Sequence, residues 1–201
     1  MTRGAVITAQ AVESALLKAG KARRWGAHLS VQQILDYDER AFGCEGGSAP
    51  TSFSYVHKAG LTAESIYPYQ NRQNSRLTRK KQFPVLARIS NYCVRGRIHM
   101  PVYARDYLTD EDIERELVAH GPLYALIHGE GHLLQNYKSG IIDDEACSKI
   151  TNHACLIVGY DEEAFILQNS WGRYWGENGY FRVAKGKNVC GYLTEIAYAL
   201  P

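Results

Sequence analysis

The sequence predicts an α+β fold in which helices fill the early part of the chain and strands the late part. Apolar residues recur at helical spacing from Ala5 to Lys18, and further helices are predicted at Pro50 to Ala59 and from Thr109 to His120. Two short apolar runs, Ala154 to Val158 and Ala164 to Leu167, flank an acidic turn and predict a β-hairpin. The 201 residues, 45% of them hydrophobic, suffice for one domain or for two closely packed halves.

Capping residues mark the ends of these helices. Gly20 follows the first helix and is expected to end it, since glycine tolerates the left-handed conformation found at helix C-termini. Ser30 followed by Gln33 predicts a capping box that opens a second helix. Thr109 followed by Asp112 predicts the same arrangement at the start of the late helix.

Composition and charge argue against nucleic-acid and membrane partners. The formal net charge is +2, which gives no electrostatic case for nucleic acid or an anionic membrane surface. No apolar run approaches the roughly 20 residues that span a bilayer. The opening residues show no secretory signal, because the Ala-rich segment after Gly4 contains Glu13. The basic stretch from Asn71 to Lys81 is interpreted as a solvated loop, with a partner-binding patch as the less favoured alternative.

The segment His128-Gly129-Glu130-Gly131-His132 superficially resembles a pair of metal-binding histidines. Two histidines spaced by four residues need a helix to present both rings on one face. The two glycines disfavour a helix here, so the segment is predicted to be a surface loop. No metal site and no cofactor are expected.

The late hairpin places a histidine beside an amide. His153 enters the first apolar run and Asn169 leaves the second, so the two side chains are expected to lie side by side. An imidazole that serves as a base needs a partner that fixes its tautomer and orientation, and an amide oxygen can do so. Trp171 would shield their hydrogen bond from water. The alternative is an ordinary histidine of the core, which the motifs that follow disfavour.

The residues around this pair resemble the papain-like cysteine peptidases. The matching motifs are Asn152-His153-Ala154, Gly159-Tyr160, Asn169-Ser170-Trp171-Gly172, Trp175-Gly176-Glu177-Asn178-Gly179-Tyr180 and Cys190-Gly191. The resemblance implies that His153 is the base and Asn169 its orienter. It also implies one peptidase domain over residues 1–201, with a helical lobe in roughly residues 1–100, a β-barrel-like lobe in roughly residues 101–201, and a cleft between them.

The same resemblance implies a substrate-binding cleft. Gly46 and Gly47 match a family loop whose backbone pairs with an extended peptide, although on their own they would indicate only a tight turn. Trp171 belongs to the implied substrate-binding set, and Glu195 is implied at the floor of the main pocket. A carboxylate there would favour arginine in the substrate; the alternative is that Glu195 faces solvent. The implied walls of the pocket are Ser48, Ala49, Leu126, Thr151 and Asn152.

The resemblance also bears on the cysteines. Cys147 and Cys190 match a family disulfide that ties the histidine loop to the terminal segment, which would imply an oxidising compartment, lysosomal or extracellular. Cys155 is interpreted as a small buried hydrophobe, and Cys93 has no assigned partner. Tyr37 stands where relatives have a bridged cysteine, and the usual partner of that cysteine is absent here as well.

The cysteine nucleophile of this family is missing from its expected place. It belongs to a motif roughly 130–150 residues before the histidine, which is roughly residues 3–23 here, and no cysteine occurs there. Matching Glu13 to the glutamate of the family's first helix puts the nucleophile near Arg3, and the oxyanion-hole glutamine before the first residue. Cys44 is the only thiol near the implied cleft, but it belongs to the wrong loop to reach His153. The polypeptide as given is therefore expected to be inactive.

Two functional hypotheses from different classes remain. The first is a cysteine peptidase whose N-terminal piece is absent from this chain, through a truncated gene model, processing or a separate chain. It would act on peptide or protein substrates, with a propeptide or a cystatin-like inhibitor as a further partner. The second is a non-catalytic peptidase-like protein that acts as a binding module or decoy. The presence of His153, Asn169 and Trp171 favours the first hypothesis, in the sense that the chain descends from a cysteine peptidase.

Overall fold

The computed structural model describes residues 3–21, 28–40, 47–74, 82–96 and 108–201 of the chain. Helices predominate early in these ranges and strands late, as the sequence predicts for an α+β fold. The helices are α1 Arg3–Lys18, α2 Val31–Tyr37, α3 Ala49–Ala59, α4 Asp110–His120 and α5 His132–Gln135. The strands are β1 Asn91–Gly96, β2 Leu123–Ile127, β3 Ile141–Ile142, β4 His153–Tyr160, β5 Ala164–Gln168, β6 Tyr180–Ala184 and β7 Glu195–Leu200. Within the described ranges, no helix combines the length and apolar character that a membrane crossing requires.

The chain divides into two compact units. The first comprises Met1–Cys93 together with Tyr198–Pro201, and the second comprises Val94–Ala197. The C-terminal residues join the first unit through a backbone hydrogen bond in which Ser90 N–H donates to Leu200 O at 2.8 Å. The division falls within β1 and within β7, so neither strand belongs wholly to one unit.

Helix α1 of the first unit is packed and capped as predicted. Ile7, Val12 and Leu16 are buried, in agreement with the helical spacing of the apolar residues. Gly20 has a φ of +66°, and Lys21 N–H donates to Leu16 O at 3.0 Å. The helix therefore ends in the left-handed turn that glycine permits.

The capping box predicted for α2 is only half formed. Ser30 Oγ accepts a hydrogen bond from Gln33 N–H at 3.0 Å, as expected of an N-cap. The Gln33 side chain is buried, however, and it accepts from Thr62 N–H at 2.8 Å and donates to Gly60 O at 3.1 Å. Ser30 N–H donates instead to Thr62 O at 2.9 Å. The predicted role of Gln33 is wrong because a distant segment supplies partners for both groups.

Aromatic packing stabilises the end of α2. The Tyr37 ring meets Tyr67 and Phe83 edge-on, with centroids 6.1 Å and 5.6 Å away. The neighbouring Asp36 carboxylate accepts hydrogen bonds from the Tyr67 hydroxyl and from Asn74 N–H, both at 2.7 Å. Desolvation, followed by the hydrogen bond to Asp36, raises the pKa of Tyr67. These contacts hold α2 against the segment that follows α3 without a cysteine at position 37.

The second unit is built on antiparallel pairing of β2, β4, β5 and β6. β4 pairs with β2 on one side and with β5 on the other, and Ile127 lies opposite His153 in the β2–β4 ladder. A register shift interrupts the β4–β5 ladder between Ile157 and Gly159. The full sheet has the order β1-β7-β2-β4-β5-β6-β3, with β3 parallel to β6. The predicted hairpin is thus confirmed as β4–β5, in the interior of the sheet.

Helix α4 of the second unit begins with the predicted capping box. Thr109 Oγ1 accepts from Asp112 N–H, and the Asp112 carboxylate accepts from Thr109 N–H, both at 3.1 Å. A hydrogen bond from Arg115 to Asp112 lowers the pKa of that carboxyl group. Ile113 and Leu117 are buried on the inner face, so both the start and the orientation of this helix follow from local sequence signals.

Candidate active site

The β4–β5 hairpin brings a histidine and an asparagine into contact. His153 is the first residue of β4, and Asn169 directly follows the last residue of β5. His153 Nε2 lies 2.9 Å from Asn169 Oδ1, and the two residues are only 2% and 4% exposed. The predicted proximity of the two side chains is therefore confirmed.

The hydrogen bonds of Asn169 identify the tautomer of the histidine. Asn169 Oδ1 also accepts a hydrogen bond from Ser170 N–H at 2.8 Å. A backbone N–H needs an acceptor, so the amide atom at this position is the oxygen and not the nitrogen. His153 Nε2 must then carry a proton and donate it to that oxygen. In the neutral imidazole, the other ring nitrogen, Nδ1, is then the one without a proton.

The ring of Trp171 covers His153, and Trp175 supports this cover. The ring centroids of His153 and Trp171 are 5.1 Å apart with the planes inclined by 35°. Trp171 in turn meets Trp175 edge-on at 5.0 Å, and Trp175 packs against Phe181 at 5.6 Å. The predicted shielding by Trp171 agrees with this packing. Trp175 connects the cover to β6, so the cover is anchored in the sheet.

A carboxylate that the sequence reasoning left without a role anchors the loop between β5 and β6. Glu177 accepts from Gly140 N–H at 2.9 Å and from two nitrogens of Arg182 at 2.8 Å and 3.0 Å. These hydrogen bonds, that of Arg182 first, lower the pKa of Glu177. Asn169 N–H donates to Gly179 O at 2.9 Å. The loop is thereby fixed at its middle and tied to Asn169 at its end.

A glycine that sequence reasoning also missed lies against the histidine. Gly129 N–H donates to Asn152 Oδ1 at 2.8 Å, and a Cβ atom built on Gly129 would lie 2.4 Å from His153 Cβ. The available signal was its position: Gly129 comes two residues after Ile127, which pairs with His153. The segment from His128 to Gly131 is not helical, as predicted, and α5 begins only at His132.

A disulfide joins Cys147 to Cys190, as the resemblance implied. It links the segment that leads into His153 with the turn before β7. His128 N–H donates to Cys190 O at 2.7 Å. The bridge is therefore connected both to the start of β4 and to the loop that carries Gly129.

The thiol of Cys155 is poorly placed to react. Cys155 is fully buried, its Sγ lies 3.7 Å from Ala125 O, and burial raises the pKa of its thiol. These facts agree with its interpretation as a small buried hydrophobe. Cys93 is half-buried and belongs to the first unit. Cys44 lies outside the described residues.

The residues implied for substrate binding are divided between the two units, and Gly46 lies outside the described residues. In the first unit, Gly47 and Ser48 are exposed, and Ala49 is the buried first residue of α3. Members in the second unit are Leu126, Thr151, Asn152, Trp171 and Glu195.

The structure decides whether the side chain of Glu195 faces solvent. It is 1% exposed at the start of β7, so the alternative that this side chain faces solvent is wrong. Desolvation first, and the nearby Glu195 charge second, raise the pKa of Tyr124. The carboxylate of Glu195 therefore lies near the phenol of Tyr124, and both side chains are buried.

The α+β architecture and the buried histidine–asparagine pair agree with the class of thiol peptidases that the sequence motifs resemble. Residues 4–200 match the family model described as papain family cysteine protease, so the chain belongs to that family. The senescence-specific cysteine protease SAG12 of Arabidopsis thaliana is 36% identical over 180 residues, which cover 85% of this chain and 48% of that protein. The chain thus spans about half the length of this relative.

Solved structures agree with the papain-like fold. The Carica candamarcensis cysteine protease CMS1MS2, crystallised in complex with E-64, superposes with a TM-score of 0.83 at 24% identity, over 99% of this chain and 88% of that one. The ragweed pollen allergen Amb a 11, a cysteine protease solved in its proform, gives a TM-score of 0.80 at 29% identity, over 99% of this chain and 58% of that one. The predicted fold class is therefore confirmed.

Proposed function

We propose that this chain carries the base and the orienting amide of a papain-type cysteine peptidase, with His153 and Asn169 in these roles. The observation that carries the proposal is the buried hydrogen bond, 2.9 Å long, between His153 Nε2 and Asn169 Oδ1. It holds the imidazole in one tautomer and one orientation, which a catalytic base needs before it can act. Membership of the cysteine protease family supports the same assignment.

In the proposed reaction, Nδ1 of His153 accepts the proton of a cysteine thiol, and the thiolate attacks the carbonyl carbon of a peptide bond. The imidazolium returns that proton to the departing amine as the C–N bond breaks. Water then releases the acyl group from the sulfur, with the imidazole again acting as base. Asn169 keeps the ring in place while its charge changes, because its oxygen continues to accept the proton on Nε2.

We propose that this polypeptide alone does not complete the reaction. Its second unit offers no suitable thiol, because Cys147 and Cys190 are bonded to each other and Cys155 is inaccessible. The raised pKa of Cys155 also keeps its thiol protonated near neutral pH. Covalent catalysis of this kind does not occur without a cysteine nucleophile.

The proposed substrate is an extended peptide or protein segment. Gly46 and Gly47 would pair with its backbone, and Asn152 and Trp171 would contact it near the base. By resemblance, Glu195 is proposed at the floor of a pocket that selects arginine, because a carboxylate forms a bidentate pair with a guanidinium. In the second unit, the walls of this pocket would include Leu126 and Thr151.

Two further features support the proposed partners and the proposed compartment. The ragweed relative has a proform, which supports a propeptide as one partner, and a cystatin-like inhibitor is proposed as another. The Cys147–Cys190 disulfide supports an oxidising compartment, either lysosomal or extracellular.

The second candidate function is a peptide-binding module without catalysis. The absence of a cysteine from residues 3–23 favours it. A binding module has no use for a buried, tautomer-specific imidazole, whereas a peptidase site requires one. The His153–Asn169 pair therefore weighs in favour of the peptidase assignment.

A turnover assay tests whether this polypeptide is active alone. The purified chain is incubated with a fluorogenic dipeptide amide and a thiol reductant, and no release of fluorophore is expected. The matched control is the His153→Ala variant, which should give the same baseline. Turnover that a thiol-alkylating epoxide blocks, and that His153→Ala lacks, would refute the proposed inactivity while supporting the role of His153.

A second experiment tests the peptidase assignment by supplying a thiol. Arg3, the first residue of α1, holds the position of the nucleophile by resemblance, so Arg3→Cys should be alkylated by an epoxide faster than a free cysteine near pH 6. Adding His153→Ala should remove the acceleration, because the imidazole would no longer stabilise the thiolate. Lys18→Cys, at the other end of α1, is the matched control. Equal rates at both positions would contradict the assignment.

A further inference from the structure

We infer that His128 is a positioning residue for His153, because its ring anchors the segment that leads into the proposed base. The inference deepens the proposed function and rests on His153 acting as the base. The sequence predicts only a surface loop for residues 128–132, which include His128. This residue lies outside the histidine–asparagine pair and outside the proposed substrate pocket.

His128 lies just beyond the end of the β2–β4 ladder. The last residue pair of this ladder is Ile127 opposite His153. One more backbone bond follows it, in which Asn152 N–H donates to Ile127 O at 3.0 Å. The end of a ladder opens more easily than its middle, because fewer neighbouring bonds support it. The proposed base therefore lies where the pairing of β4 needs support from outside the ladder.

The segment that precedes Asn152 has few hydrogen bonds. Residues 148–151 lie between the disulfide and Asn152, and the side chain of Ile150 is 78% exposed. A bond from Ile150 N–H to Ser148 Oγ, at 3.2 Å, stays within the segment. Within the described ranges, the bond between His128 and Ile150 O is the only hydrogen bond that joins residues 148–151 to another part of the chain. His128 is thus the outside anchor of this segment.

This hydrogen bond orients the ring of His128. Its Nδ1 lies 2.8 Å from Ile150 O, and a carbonyl oxygen can only accept, so Nδ1 carries a proton and donates it. Cδ2 and Nε2 lie on the side of Gly131, where a Cβ atom would be 3.3 Å and 3.4 Å from them. The backbone is held as well, since His128 N–H donates to Cys190 O at 2.7 Å. One residue therefore joins the end of β2, the turn at the disulfide and the segment before His153.

Loss of the bond to Ile150 O would release the segment on the N-terminal side of His153. Residues 148–151 would then be held only at their two ends, and local opening would spread to the Asn152 N–H and to the first residue of β4. Such opening would give water access to the His153 Nε2 proton. His128 thus acts on the proposed base through the backbone that leads into it.

The test compares variants of the full chain by NMR. His128→Ala should accelerate exchange of the Asn152 N–H and of the His153 Nε2 proton with water by about two- to tenfold, as loss of one hydrogen bond predicts. His128→Asn should restore the wild-type rates, because its amide donates from the position of Nδ1. His132→Ala, at an exposed position in α5, is the matched control and should have no effect. Unchanged exchange in His128→Ala, or equal acceleration in His128→Asn, would overturn the inference.

The two exchange rates separate positioning from a purely structural role. If His128→Ala accelerates exchange at Asn152 but not at the His153 ring, His128 supports the segment without positioning the base, and the inference is wrong.

Wild-type protein provides a test that needs no folded variant. In nitrogen-15 spectra at mildly alkaline pH, where an imidazole is neutral, His128 should carry its proton on Nδ1. A proton on Nε2 instead would overturn the inference. The proposed function fails separately, because a wild-type His153 without a proton on Nε2 would refute the role of Asn169. Exchange of the Asn152 N–H would still show whether His128 holds the segment.

Discussion

Asn169 accepts two hydrogen bonds on one oxygen, from His153 Nε2 at 2.9 Å and from the N–H of Ser170 at 2.8 Å, and the indole of Trp171 lies over the histidine. The second bond holds the oxygen in place for the first. Exclusion of water strengthens both, because hydrogen bonds are stronger where the local dielectric constant is low. The geometry of the histidine therefore also depends on the ring that packs over it.

Replacing Trp171 with alanine should admit water to the His153–Asn169 bond. We expect faster exchange of the His153 Nε2 proton in NMR spectra and a loss of about 1–3 kcal/mol in the free energy of unfolding, because a half-buried aromatic ring is removed. Tyr174→Ala is the matched control, since that ring is 97% exposed. If both variants left the exchange rate at the wild-type value, the indole would not be the cover described here.

The burial of Cys155 leads to a second prediction. Iodoacetamide added to native protein should not label Cys155, because the side chain is 0% exposed and burial raises the pKa of its thiol. Labelling should appear only as fast as the protein unfolds in urea, and peptide mapping by mass spectrometry identifies the modified residue. Rapid labelling of Cys155 under native conditions would show that its thiol is accessible. Cys155 would then have to be reconsidered as a nucleophile.

The buried carboxylate of Glu195 leads to a prediction about specificity. NMR titration with dipeptide amides should show tighter binding of an arginine-containing peptide than of its phenylalanine analogue. Glu195→Gln keeps the shape of the side chain but removes its charge, so the preference for arginine should fall by about tenfold or more. Glu130→Gln, at an exposed position, is the control. The pocket role fails if the ratio of the two affinities is the same in Glu195→Gln and wild type.

Local signals in the sequence were sufficient to predict those features that a single segment of the chain determines. The hairpin that joins His153 to Asn169, the cap at Gly20 and the box at Thr109 all involve residues close in sequence. Gln33 behaved differently, because its partners at positions 60 and 62 come from another part of the chain. The local capping signal correctly places the start of α2 but cannot indicate that the glutamine side chain turns elsewhere.

The other features that the sequence did not predict also depend on contacts between distant segments. The crowding between Gly129 and His153 exists only once β2 and β4 are paired, and no property of the segment around Gly129 reveals it. The burial of Glu195 likewise depends on the strands that surround β7. Tyr37 could be read as the loss of a cysteine, but the rings that replace the bridge come from residues 67 and 83.

Acid sensitivity of the loop that carries Trp175 is the last prediction. Hydrogen bonds from Arg182 and Gly140 lower the pKa of Glu177 in the folded state below its ordinary value of 4.5. A carboxyl group with a lowered folded pKa contributes stability that is fully present above the unfolded pKa and is lost as the pH falls through the folded one. Wild-type protein should therefore lose stability as the pH falls below about 4.5.

Glu177→Gln removes this titration, so its free energy of unfolding should be lower than that of wild type at pH 7 and should change less below pH 4.5. Urea unfolding at a series of pH values measures both effects. Glu162→Gln, in the exposed β4–β5 turn, removes an equal charge and should follow the wild-type curve. Because Glu177 fixes the loop whose Trp175 supports Trp171, Glu177→Gln should also accelerate exchange of the His153 Nε2 proton at neutral pH. A variant that changes stability but leaves this exchange rate unaltered would show that the loop anchor and the cover of the histidine are independent.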